Sequence, residues 1–371
     1  MRFQVGTRPV LIAFAVILAC PRVQACDTCG CRREAEACTP HGNIDGGHID
    51  GGHSEGGHGT MRFTPLSLGS PRAPAAGTSA AFRFGVLGDT QGLGFVSQLT
   101  ADMNTQSLDL AVYPGDLVGT GGSASWDAWI ADTSSANFDL YMVPGNHDLP
   151  VGGDTLWQSK FNWLPNSQTV GGVNGPQTGI DQMDYYFDVG DTRFISVTTD
   201  SQANGTRHPA AALPWFENVL NLPSTQSKDH VFVYTHHPIT FDLYDGSGGI
   251  DGSFWQTMVD SGAPVHGIFE GHWHQYQPGR PDPYNQQLWE VIAGTGNAGF
   301  SGHPWQNKIG FTVIDVDGTE VTAEFFGDAD NDGSYDDVLD AFTIASATPQ
   351  ATGLVVAYDF LDPATNSDTA H

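Results

Sequence analysis

The stretch Phe82-Arg83-Phe84-Gly85-Val86-Leu87-Gly88-Asp89-Thr90-Gln91 changes character within ten residues. Phe82 to Leu87 is a short apolar run of strand type, and Gly88 breaks it and passes the chain to a carboxylate and an amide. The pattern recurs along the chain. Leu108 to Tyr113 runs out before Asp116, Phe138 to Val143 before Asn146-His147-Asp148, His230 to Thr235 before His236-His237, and Val265 to Phe269 before His272 and His274. Trp289 to Ala293 reads as a further strand, Tyr185 to Thr198 as a hairpin, and Gly310 to Phe326 as a hairpin turning at Asp317-Gly318. Amphipathic stretches at 94–106, 124–133, 213–221 and 253–261 read as helices. Strands alternating with helices predict an α/β body, and the hairpins of the second group predict a second sheet. The expected architecture is two mixed β-sheets stacked face to face with helices outside.

In such sheets the ligand crevice lies at the carboxyl ends of the strands. Five strand ends carrying polar, metal-competent residues can therefore build one site. In extended chain, residues two apart point the same way and sit roughly 6 to 7 Å apart. On that reading Asp89 and Gln91 share a side while Thr90 points away, and His272 and His274 do the same around Trp273. That span suits two metal ions about 3.5 to 4 Å apart, with Asp116 able to bridge them through its two oxygens. Carboxylate and amide oxygens mixed with imidazole nitrogens favour iron, manganese or zinc over calcium.

Gly88-Asp89-Thr90-Gln91, Gly115-Asp116, Gly145-Asn146-His147-Asp148, His236-His237-Pro238 and Gly271-His272-Trp273-His274 follow one another in that order. Over roughly residues 82 to 326 the chain thus resembles the calcineurin-like metallophosphoesterases. The resemblance implies a four-layer αββα sandwich. It places one metal on Asp89, Gln91 and His274, the other on Asn146, His236 and His272, and Asp116 between them. It further implies attack on phosphorus by a hydroxide lying between the metals, with His147 protonating the leaving oxygen as general acid and Asp148 orienting His147. Two departures stand out. The purple acid phosphatase branch has an iron-binding tyrosine three residues beyond the bridging aspartate, where this chain has Gly119, and Gln91 replaces a better-donating histidine. Two divalent ions against Asp89 and Asp116 would leave a local charge of about +2, reversing the repulsion of an acidic surface for phosphate.

That surface follows from 14 Lys+Arg against 42 Asp+Glu, a formal net charge of −28. Such a charge disfavours nucleic-acid duplexes and anionic lipid as partners and leaves a small phosphoester as the expected substrate. The apolar run Val10 to Cys20, preceded by Arg2 and Arg8, falls short of the roughly 20 residues that span a bilayer, and reads as a secretory signal cleaved after Ala25. Lipid attachment at Cys20 or Cys26 is the rival, disfavoured because neither has a small residue at the second preceding position. The expected outcome is a secreted, periplasmic or cell-surface protein.

The expected domains are a signal peptide (1–25), a Cys/His/Gly-rich linker (26–80), the phosphoesterase domain (81–345) and a tail (346–371). All five cysteines lie before residue 40, so no thiol can serve the main body as catalyst. Cys26, Cys29, Cys31 and Cys38 suit disulfides or a metal, and the repeat bearing His48, His53 and His58 reads as a flexible spacer or a weak metal trap. Asp328, Asp330 and Asp332 before Gly333 resemble a calcium loop, with Leu339 where a glutamate is wanted and Asp340 one step later. Gly353 to Phe360 resembles the opening strand of a concanavalin-like module. Arg193, Arg207 and Arg280 are candidate phosphate contacts, and Trp157, Trp163, Phe300 and Trp305 candidate base-stacking surfaces. The alternative to an enzyme is a cell-surface metal- or polymer-binding protein with structural metals.

Overall fold

A computed structural model describes residues 81–201, 205–206, 212–239, 253–280, 287–296 and 308–346. The leader with its cysteines and GGH repeat, Arg207, Phe300, Trp305 and the tail beyond residue 346 lie outside the described residues.

In chain order the strands are β1 (Phe82–Val86), β2 (Leu110–Pro114), β3 (Asp139–Val143), β4 (Tyr185–Val189), β5 (Thr192–Ser196), β6 (Asp200–Ser201), β7 (Gly205–Thr206), β8 (His230–Tyr234), β9 (Val265–Glu270), β10 (Tyr276–Gly279), β11 (Trp289–Ala293), β12 (Gly310–Asp317), β13 (Glu320–Gly327) and β14 (Asp337–Ala345). The helices are α1 (Val96–Thr105), α2 (Ser123–Thr133), α3 (Gly153–Lys160), α4 (Leu213–Leu220), α5 (Pro223–Gln226) and α6 (Ser253–Ser261). One sheet has the order β14-β13-β12-β1-β2-β3 and the other β10-β11-β9-β8-β5-β4. β1, β2 and β3 run parallel, as do β5, β8, β9 and β11, and antiparallel strands close one edge of the first sheet and both edges of the second. The architecture is therefore α/β, with two stacked mixed sheets flanked by helices.

Alternation along the second sheet explains the layering, because successive strand residues face opposite ways. Phe194, Phe232, Tyr234 and Phe269 join the cluster shared with the first sheet. Their neighbours Ile195, Val231, Val233 and Ile268 pack instead with Trp215 and Phe216 of α4 and with Phe254 and Met258 of α6. The sheet is buried on both faces, which is why its strands read as continuous apolar runs rather than alternating ones. On the first sheet α1 and α2 contribute Leu99, Met103, Trp126 and Trp129.

The strands and helices expected from periodicity are present with boundaries shifted by a few residues. Six elements are additional, among them the short β6, β7 and α5. β10 and β14 border the two sheets, and α3 lies inside a segment read as an insertion. Trp157 of α3 is fully buried, donates its indole N–H to Gln182 O at 3.0 Å and packs edge-on against Trp126. It is a core residue and not a base-stacking surface. Among the described residues no helix is long and apolar enough to cross a membrane.

Asp184 carries a titration in this core. Its two oxygens accept the amides of Thr198 and Ile180, both at 2.8 Å. Burial pushes its carboxyl up from 3.8 to about 7, against the lowering effect of those two bonds. A carboxyl that holds its proton more tightly when folded stabilises fully below its unfolded pKa and loses that contribution as pH rises through its folded pKa. Between pH 4 and pH 7 the loss is about 4 kcal/mol. Denaturant unfolding of Asp184→Asn should show a flatter pH dependence over this window than the parent; parallel curves would disprove the assignment.

Candidate metal centre

The turns that follow β1, β2, β8, β9 and β11 are joined to one another by backbone hydrogen bonds. Gly88 N–H donates to Ala293 O, Asp89 N–H to Gly115 O, Gln91 N–H to Asp116 O and Gly271 N–H to His236 O, each at 2.9 Å. The approach is close enough to require glycine at the contact points. A Cβ on Gly145 would lie 2.3 Å from Asp116 Oδ1, and one on Gly294 would lie 2.6 Å from Asp89 Oδ2. Gly294 is a site residue that motif reading misses, although its position just after β11 repeats the strand-then-glycine pattern of the others.

The backbone here is not the extended chain expected from spacing. Asp89 (φ 57°), Gln91 (φ 45°), Asp116 (φ 54°), His272 (φ 70°) and His274 (φ 33°) all adopt left-handed conformations, and they are five of the eight described non-glycine residues that do. Such residues cost about 1 to 3 kcal/mol each and persist where surrounding structure holds them, typically at functional sites. The pairs converge because the chain turns sharply at each ligand candidate, not because a pleat aligns them. Thr90 does point away, accepting the Trp129 indole N–H at 3.1 Å and donating to Leu117 O at 2.9 Å in the core.

Asp116 lies between two groups of side chains. Its Oδ1 is 3.3 Å from His236 Nε2, and its Oδ2 is 3.5 Å from Gln91 Nε2. On the Oδ2 side, His274 Nε2 is 3.1 Å from Gln91 Nε2 and 3.4 Å from Asp89 Oδ1. On the Oδ1 side, Asn146 Oδ1 is 2.9 Å from His236 Nε2 and 3.0 Å from His272 Nδ1. All seven candidate ligands thus come together, in the grouping Asp89, Gln91 and His274 against Asn146, His236 and His272.

The electrostatics fit cations. Asp89 and Asp116 are buried, and the described structure offers them no lysine or arginine partner. Burial and then the charge of Asp116 hold the Asp89 carboxyl well above the usual carboxylate range, against the amide of His272. Two adjacent buried carboxylates repel unless a positive ion compensates them. Burial lowers His236 and His274, keeping both imidazoles neutral and able to donate a lone pair. His236 Nδ1 lies 2.9 Å from Pro114 O, so it carries the proton and leaves Nε2 for a ligand.

His147 is poised at the mouth of this centre. Its backbone N–H donates to Asp116 Oδ1 at 2.8 Å, and its side chain is 45% exposed with Nε2 4.0 Å from Asp116 Oδ2. Its Nδ1 lies 3.1 Å from Gly119 O. The residue that replaces the iron-binding tyrosine therefore orients the imidazole through its carbonyl. Asp148 does not perform that task. Its buried carboxylate accepts the amides of Gly145 at 2.8 Å and Val118 at 3.0 Å, tying the turn after β3 to that after β2.

Other candidates resolve away from the centre. Arg193 is bound by Asp188 at 2.8 and 2.9 Å and by Thr225 Oγ1 at 2.6 Å, and is nearly fully buried. Arg280 lies over the Trp289 ring at 4.4 Å. The Arg193 position follows from the β4–β5 register, which pairs Asp188 with Arg193 directly across the turn. His230 and His266 face Gly318 O and Asp229 O and serve the fold. Asp328, Asp330 and Asp332 do cluster, each with an oxygen within 4.8 Å of the others. Asp340 is not available to that cluster, because its Oδ2 accepts the Tyr276 hydroxyl at 2.9 Å.

The family model for calcineurin-like phosphoesterase matches residues 82–276. No curated protein matches the chain in sequence. Among solved structures, the purple acid phosphatase PPD1 from yellow lupin (Lupinus luteus) seeds aligns with a TM-score of 0.52 and 16% identity over 76% of this chain. The chain spans only 59% of that protein's length. GAP50, the anchor in the inner membrane complex of Plasmodium, aligns with a TM-score of 0.51 and 14% identity, covering 73% of this chain and 90% of its own. At these identities the likeness is one of fold.

Proposed function

The chain belongs to the calcineurin-like phosphoesterase family, and from that premise we propose that it is an exported hydrolase of phosphate mono- or diesters working with two metal ions. The observation that carries this reading is Asp116, buried between two convergent donor groups with each carboxylate oxygen facing one of them. Asp89, Gln91 and His274 would hold one ion, Asn146, His236 and His272 the other, and Asp116 both. Manganese, zinc and iron suit this donor set. When bound, the ions supply Lewis-acid neutralisation of phosphoryl charge and a water acidic enough to serve as nucleophile near neutrality.

The protein's own contribution to the chemical step is His147. With Nδ1 directed at Gly119 O, the proton available for transfer in the imidazolium form sits on Nε2, on the side of Asp116. A purely structural metal site would be closed, whereas the exposure of His147 supports an opening to solvent and therefore to substrate. Export rests on the Arg-flanked apolar run before Ala25, and the mature chain is expected to begin at Cys26 by mass spectrometry.

The test is hydrolysis of paired chromogenic monoester and diester substrates by metal-free protein reloaded with manganese, zinc or iron. Failure to turn over either ester with two ions bound would move the protein to the structural-metal class. His147→Ala should lower kcat about a hundredfold on an alkyl phosphate and less on a nitrophenyl ester, whose leaving group needs no proton. Equal losses on both would remove the general-acid role.

A further inference from the structure

The centre contains an imidazole that the sevenfold donor set leaves out. His237 follows His236, and its ring packs 4.1 Å from that of His272 and 4.9 Å from that of His236, measured between centroids. One ring nitrogen from each of His236, His237 and His272 lies within 4.8 Å of the other two. Donors on a single ion with bonds of about 2.1 Å stand up to about 4.2 Å apart, so small ring shifts bring all three within reach of one ion.

Its two nitrogens have different surroundings. Nδ1 is 2.9 Å from Asp200 Oδ2 and 3.1 Å from Thr199 Oγ1. Asp200 is itself buried, at 1% exposure. A buried carboxylate at this distance accepts from Nδ1–H and so fixes the tautomer in which Nε2 presents a lone pair. Among the described residues Nε2 has no hydrogen-bond partner, although His237 is only 1% exposed. A carboxylate holding one nitrogen while the other is left to donate is the arrangement that orients a metal-binding histidine.

We propose that His237 Nε2 is a further donor to the ion held by Asn146, His236 and His272, with Asp200 as the positioning residue that sets its tautomer. The inference rests on the binuclear reading above. With Asp116, Asn146, His236 and His272, it makes five protein donors and leaves one position of an octahedral ion free for water or substrate. The burial of His237 also excludes direct contact between its ring and a bound phosphoester.

The experiment uses the full chain with His41, His48, His53 and His58 replaced by Ala and Cys20, Cys26, Cys29, Cys31 and Cys38 by Ser, so that the leader adds neither imidazole nor thiolate. Calorimetric titration of the metal-free protein with zinc should give two tight ions. His237→Gln should weaken one of them about 10- to 100-fold and leave the other unchanged, with Asp200→Asn weakening the same site by a smaller factor. Cobalt titration should show a changed visible spectrum for His237→Gln. Independently of any site variant, the cadmium-113 form with nitrogen-15 histidine should show four metal-coupled imidazoles. Three coupled imidazoles, unchanged zinc affinities, or weakened binding with an unchanged cobalt spectrum would each overturn the ligand assignment. Fewer than two tight ions in the parent would instead overturn the binuclear reading, and the coupled-imidazole spectrum would still decide whether His237 binds the remaining ion.

Discussion

Asp116→Asn should lower kcat/KM at least about a thousandfold with either ester and abolish tight binding of at least one ion. The two oxygens of Asp116 face different partners, His236 Nε2 at 3.3 Å and Gln91 Nε2 at 3.5 Å. An amide can offer oxygen to only one side, so it must turn an N–H₂ group toward the other and surrender the charge as well. The loss is then several kcal/mol of electrostatic stabilisation, and each 1.36 kcal/mol or so is a tenfold change in rate. The metal-free protein should respond in the opposite sense. The Asp116 charge is one of the causes that hold Asp89 and Asp148 above the usual carboxylate range. Removing that charge relieves repulsion within the core, so metal-free Asp116→Asn should melt at a higher temperature than the metal-free parent at neutral pH. Loss of activity together with this gain separates a bridging ligand from a residue that only supports the fold. Retention of both ions and a tenth of the activity would end the bridging assignment.

Sequence reading succeeded where the signal was local. Each ligand candidate stands within a few residues of the strand that positions it, and glycine marks every break but the one before His236, so Asp89, Asp116, Asn146, His236 and His272 could be placed at strand ends without knowing which strands are neighbours. The backbone between those residues was less accessible. Left-handed conformations at Asp89, Gln91 and His274 are imposed by bonds such as Gln91 N–H to Asp116 O, which join segments 25 residues apart. No pattern inside either segment announces them. His237 illustrates the same limit. In extended chain its side chain would stand opposite that of His236, but its environment depends on Asp200 from the chain beyond β5 and on His272 from the turn after β9. α3 escaped notice because its eight residues include two wholly conventional loop formers, Gly153 and Asp154, and its anchor Trp157 is buried by partners distant in sequence.

The largest expected effect on stability is at Phe84, where replacement by Ala should cost about 3 to 5 kcal/mol. β1 is a central strand of the first sheet, and the fully buried Phe84 ring meets three aromatic rings of the second. It packs edge-on to Phe194 at 4.9 Å and to Phe269 at 5.7 Å, and tilted against Phe232 at 5.2 Å. Each edge contact adds about 0.5 to 1.5 kcal/mol beyond the area buried. The cavity left by Ala cannot collapse cheaply, since Phe194, Phe232 and Phe269 are held by three consecutive parallel strands. On the opposite face of β1 there is no slack to lend, because a Cβ on Gly85 would already lie 2.6 Å from Met103 Cε. Urea unfolding should therefore show a midpoint displaced to much lower denaturant with an unchanged slope, whereas Val173→Ala, at a site 72% exposed, should move it by no more than about 0.5 kcal/mol. A Phe84→Ala cost near that of Val173→Ala would mean that the two sheets are not held together by the aromatic layer between them.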